Sequence, residues 1–149
     1  MSYESRIFII NRTEHINSNG TIWIHAEKIV DLKMCQMDSD MNFRNIFTQN
    51  IDYPIVVDGE TTFSDKYGEP MKYSNVKTVI NYLEQIPDNY RRISILLGIL
   101  QNIDESKWDN IQIVHYGYWG GNKTMFIIFL MIYLFAGICE EIWLNIPKK

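Results

Sequence analysis

The stretch that decides the fold is residues 74–103, SNVKTVINYLEQIPDNYRRISILLGILQNI. Val76, Val79, Ile80, Leu83 and Ile86 recur every three or four residues, which lays one apolar stripe along a helix. Ser74 or Asn75 can cap its start, and Pro87 stops it. Asp88 can cap a second helix over residues 90–103, apolar at Ile93, Leu96, Leu97, Leu100 and Ile103. Two helices joined at Pro87-Asp88 are expected to pack as a pair. Their apolar stripes need a surface to cover, and the flanking sequence supplies strands.

Upstream, residues 5–11 (SRIFIIN) read as a strand, apolar on both faces and therefore central. Ser18-Asn19-Gly20 predicts a hairpin turn, because Asn-Gly takes positive φ at little cost. Residues 21–31 (TIWIHAEKIVD) form the second strand, with room to run on to Met37. Ile22, Ile24 and Ala26 share one face; Trp23, His25 and Glu27 share the other. Ser39 or Asp40 can cap a short helix over residues 41–47. Residues 53–57 (YPIVV) read as a strand that Pro54 places at an edge or a start. Residues 58–60 and 65–70 read as turns. Downstream, IQIVHY within residues 108–119 is the last strand, ending at Gly117.

This order predicts an α+β domain over residues 1–119: a small antiparallel or mixed sheet of about four strands packed against a helical hairpin. Residues 120–124 (GGNKT) read as a hinge and residues 125–149 as an apolar C-terminal helix. The uncharged run MFIIFLMIYLFAGIC, residues 125–139, makes a helix of about 22 Å, short of a hydrocarbon core of about 30 Å. Extending it to Ile146 brings in Glu140 and Glu141, each costly in lipid by about 2.5–3.5 kcal/mol. Two readings stay open: a membrane anchor with Trp143 at the interface, or a packing or homo-oligomer contact through residues 125–146.

A net charge of −4 argues against a general nucleic-acid binder. Two distant cysteines, Cys35 and Cys139, make no disulfide framework and suit a reducing compartment. Glu4 stands where a signal peptide would be basic, so a cytoplasmic location is expected.

The acidity is uneven. Residues 31–69 carry eight acids against Lys33, Arg44 and Lys66, a local balance of about −5. Asp38, Asp40, Asp58, Glu60, Asp65 and Glu69 are therefore the candidate contacts to a partner protein with a basic surface. Turn chemistry also accounts for the pairs Asp38/Asp40 and Asp58/Glu60, and neither pair fits the twelve-residue calcium loop. His25 and Glu27, with His115, could centre a small metal-dependent enzyme or ligand site. Such a centre needs three or four ligands, and the sequence does not fix their relation. No metal ligand, cofactor or catalytic residue is assigned. GYWGGN, residues 117–122, is neither a dinucleotide fingerprint nor a phosphate loop, and no nucleophile elbow occurs. Arg91-Arg92 opens the second helix, where it can pair with Asp88 or meet an acidic partner.

Four segments together carry a resemblance: YESRIFIINRTE (residues 3–14), DKYGEP (65–70), NYRRI followed by LLGIL (89–100), and IVHYGY (113–118). They resemble small accessory proteins encoded by phages and prophages of low-GC Gram-positive bacteria, over about residues 1–118. The resemblance implies a mobile-element protein acting in the host cytoplasm. Proteins of that kind often bind and disable a host factor, including CRISPR nucleases and other defence proteins. It supplies no catalytic residue.

Overall fold

Residues 7–10, Ile-Phe-Ile-Ile, are buried on both sides of one strand, as a continuous apolar run requires. That strand, β1 (Tyr3–Ile16), lies inside a five-stranded sheet. The structure is a computed structural model and describes residues 3–34, 41–86, 91–119 and 131. The other elements are β2 (Ile22–Met34), α1 (Met41–Asn45), β3 (Gln49–Asn50), β4 (Ile55–Val57), β5 (Glu60–Thr62), β6 (Lys72–Ser74), α2 (Val76–Glu84), α3 (Arg91–Gln101) and β7 (Ile111–Trp119). A 3₁₀ turn, Glu105–Asn110, leads into β7.

The sheet order is β2-β1-β7-β6-β3, and every pairing is antiparallel. β4 and β5 form a separate two-stranded ladder. The fold is α+β with a mostly antiparallel sheet. Five strands replace the expected four, because β3 and β6 are two and three residues long and too short to carry a periodic pattern. The expected strand over residues 53–57 shrinks to Ile55–Val57 and lies outside the main sheet.

Two apolar clusters flank β1. Ile7 and Ile9 join Ile111 and Ile113 of β7, Val76, Val79, Ile80 and Leu83 of α2, and Ile93, Leu96 and Leu100 of α3. Phe8 and Ile10 join Val114 and Tyr116 of β7 with Tyr53, Ile55, Val57 and Met71 from the segment between α1 and β6. The period of two along β1 and β7 divides their side chains between these faces. The stripe read on α2 is the buried one, and its cap is Asn75, whose side chain accepts from the Thr78 amide at 2.8 Å.

β1 pairs with β7 only from Tyr3 to Asn11, whereas its pairing with β2 continues to Ile16 opposite Ile22. Residues 12–16 and 22–26 therefore run past β7 as a two-stranded arm. A bulge near Ile29, where Ile9 faces Val30 but Ile10 faces Lys28, shifts the phase of β2. As a result Val30 and Leu32 pack with the helices, and Trp23, His25 and Glu27 of the arm lie on that same face of the sheet but are exposed. The arm's turn has Gly20 at φ 84°, as Asn-Gly predicts.

The expected hinge 120–124 and C-terminal helix 125–149 lie outside the described residues, except Met131, which is helical. Among the described residues no helix is long and apolar enough to cross a membrane.

Candidate functional site

Arg6, on the β4 side of β1, organises much of the acidic segment. Its guanidinium donates from Nε and Nη2 to the two carboxylate oxygens of Asp31, both at 2.6 Å, and from Nη1 to Asp58 at 3.0 Å. Lys28 donates to Asp31 at 3.4 Å and to the Val56 carbonyl at 2.8 Å. Both cations lie over the Phe8 ring, at 5.5 and 5.0 Å from its centre. Burial works against the Asp31 carboxylate, but hydrogen bonds and charge from Arg6 outweigh it and hold the group below its usual range. Six residues further along β1 the device repeats: Arg12 donates to Asp52 at 2.9 and 2.6 Å and to Glu14 at 3.0 Å.

The charge balance of residues 31–69 therefore overstates the exposed acidity. Asp31, Asp52 and Asp58 are answered by Arg6, Arg12 and Lys28, which precede that segment in sequence and join it only through the fold. A count within one window cannot see partners brought in by strand pairing.

The six proposed contact residues fall into three groups. Asp38 and Asp40 lie outside the described residues. Asp65 organises a loop: it accepts from the amides of Tyr67 at 2.9 Å, Glu69 at 3.0 Å and Gly117 at 3.3 Å. Burial raises its pKa against the pull of those bonds. Asp58, Glu60 and Glu69 are exposed. Val57 and Glu60 close the tight β4–β5 turn, where Asp58 at φ 50° and Gly59 at φ 83° supply the two left-handed residues of a type I′ hairpin. The Asp58 side chain remains 64% exposed while bound to Arg6, which lowers its pKa by hydrogen bonding. The same hairpin presents Val56 at 54% exposure, and Phe63 just beyond it is 52% exposed. Sequence reading did not single out this apolar pair; alternation along residues 55–57, buried-exposed-buried, was the available signal.

His25, Glu27 and His115 are not brought together. His25 pairs with Thr13 and His115 with Ile7, so six residues of β1, about 20 Å, separate them. His115 is buried on the helix side between Phe43 and Phe47, with ring centres at 5.9 and 5.1 Å. Its Nε2 shares a 2.7 Å hydrogen bond with the Ser5 hydroxyl, itself fully buried. Burial, helped by the charge of Arg44, pushes the His115 pKa down to about 4, so the ring is neutral near pH 7. It floors a cavity of about 330 Å³ lined also by Arg44, Phe47, Asp65, Glu69 and Lys72. A serine with no exposed surface offers no accessible nucleophile.

His25 instead belongs to a ring cluster on the arm. His15 stacks on Trp23 with centres 4.3 Å apart, and His25 stands edge-on to both at 6.4 Å. Trp23 Nε1 donates to Asn17 at 3.1 Å. Among the described residues no group of three or more His, Cys, Asp or Glu is placed to hold a metal ion. Asp88, the expected partner of Arg91-Arg92, lies outside the described residues; Arg92 donates to the Lys33 carbonyl at 2.6 Å. Comparison of the chain with protein-family models, curated proteins and solved structures finds no match.

Proposed function

We propose that this chain is a non-enzymatic protein-binding module that docks a basic partner surface through the β4–β5 hairpin. The observation that supports the reading is one exposed hairpin carrying Val56 and, just beyond it, Phe63 as apolar anchors beside Asp58 and Glu60. Desolvated apolar anchors provide affinity, and surrounding charges provide specificity and encounter rate. Glu69, Asp38 and Asp40 are further acidic candidates for the contact. The resemblance to phage and prophage accessory proteins makes the partner a host factor in defence or regulation, met in the bacterial cytoplasm.

The test is capture from a bacterial host lysate with full-length protein, compared with Glu60→Lys, Glu69→Lys and Phe63→Ser. The expected result is one recovered partner whose binding weakens as salt rises and is lost in Glu60→Lys and Phe63→Ser. Binding that survives both substitutions defeats the proposal.

A further inference from the structure

β2 is the terminal strand of the sheet, and its two halves are treated differently. The half from Lys28 to Met34 carries the devices that blunt a sheet edge: the Ile29 bulge, Lys28, Lys33, and Arg92 bound to the Lys33 carbonyl. The half over residues 21–27 (TIWIHAE) has no bulge, proline or lysine, and among the described residues no element pairs with its outer edge. Ile22 is 60% and Trp23 46% exposed on this half. An unguarded edge with exposed apolar side chains is a template for another strand.

We propose that this open edge pairs with the same edge of a second copy of the chain, antiparallel about a two-fold axis at Ile24. The sequence is matched to itself in that register. Ile24 faces Ile24, Ile22 faces Ala26, and Trp23 faces His25, so apolar meets apolar on one face and ring meets ring on the other. The His15–Trp23 stack of each copy then continues into His25 of its mate. Charge fits as well: Glu27 lies opposite Thr21, so no like charges oppose each other. A register shifted by one residue sets Ile24 against His25 and mismatches the faces. A shift of two toward the C-terminus sets Ile22 against Lys28, which is already bound to Asp31 and the Val56 carbonyl. The product is one continuous ten-stranded sheet, two copies of the five-stranded one.

Seven paired residues per copy cover less than the roughly 800 Å² per side of a standard interface, so the association is reversible, with a dissociation constant on the order of 10–100 µM. The surface is separate from the β4–β5 hairpin, and this inference stands or falls independently of the proposed function.

Sedimentation velocity of the full chain from about 1 to about 300 µM brackets that range. A monomer–dimer equilibrium is expected. Ile22→Lys, at an exposed position, should weaken it at least about tenfold, whereas Val56→Lys on the other hairpin should not. Thr21→Lys places a cation opposite Glu27 of the mate and should tighten pairing about two- to fivefold, a gain that misfolding cannot imitate. A chain that stays monomeric overturns the proposal. So does association, by whatever route, that Ile22→Lys leaves unchanged or Thr21→Lys fails to strengthen.

Discussion

Ser5 Oγ and His115 Nε2 meet at 2.7 Å across neighbouring antiparallel strands, in a layer with almost no solvent exposure. The pair gives both buried polar groups a partner, and burial with the charge of Arg44 keeps the imidazole neutral near pH 7. Every buried side-chain polar atom among the described residues has a partner, and this bond is part of that completeness.

The neutral imidazole makes stability depend on pH. His115 titrates at about 4 in the fold against 6.5 for an ordinary histidine, so the unfolded chain takes up its proton first as pH falls. The contribution is complete above about pH 6.5 and is lost as pH drops toward 4, amounting to about 3 kcal/mol. Urea unfolding between pH 7.5 and 5 should show the decline. His115→Gln should flatten it; an unchanged slope would contradict the assignment.

Arg6 ties β1 to β2 and to the β4–β5 turn with side chains only 11% and 28% exposed at the Arg6–Asp31 contact. A double-mutant cycle of Arg6→Met and Asp31→Asn should return a coupling of about 1–3 kcal/mol at pH 7. The Asp31 carboxyl titrates below its ordinary value, so the coupling is present above about pH 4 and fades as pH falls through the lower native value. Additive single effects at pH 7 would reduce the network to a surface contact.

α1 spans five residues, too few to hold a helix in isolation. Phe43 anchors it, fully buried and 5.1 Å from Phe47 and 5.5 Å from Tyr82, centre to centre. Phe43→Ala should cost about 3–5 kcal/mol and expose the His115 ring to solvent. Calorimetry gives the first effect, and a His115 proton titration moved up toward its ordinary range gives the second.

Asn75 closes the first turn of α2 by accepting from Thr78. Asn75→Ala should cost about 1 kcal/mol, and Asn75→Asp should recover the loss, because an anion suits a helix start. Equal destabilisation by both would show that packing, not capping, sets the preference.

Long periodic elements were legible in the sequence, and so were turns with glycine chemistry. The α2 stripe, the Asn75 cap and the Asn19-Gly20 turn each follow from a local pattern that the fold retains. The apolar run at residues 7–10 announced an inner strand for the same reason. β3 and β6 were not legible, because a two- or three-residue strand is defined by its neighbour's hydrogen bonds and not by its own sequence. The arm was hidden differently: residues 12–15 are polar, and their strand character comes from pairing with β2. At the candidate site, exposed Glu60 was readable, whereas the neutralisation of Asp31 and Asp52 by Arg6 and Arg12 required the tertiary register.

The pairing of β1 with β7 has a consequence for synthesis. Ser5 and His115 stand 110 residues apart in sequence, so β1 waits for β7 across every other strand and helix of the sheet domain. The β1–β2 hairpin can form as soon as it leaves the ribosome, but Phe8 and Ile10 gain their β7 neighbours Val114 and Tyr116 only after all the intervening elements have been made. Throughout that interval the nascent chain carries a strand apolar on both sides with one edge unfilled, and a chaperone or a fast ribosome is what the interval calls for.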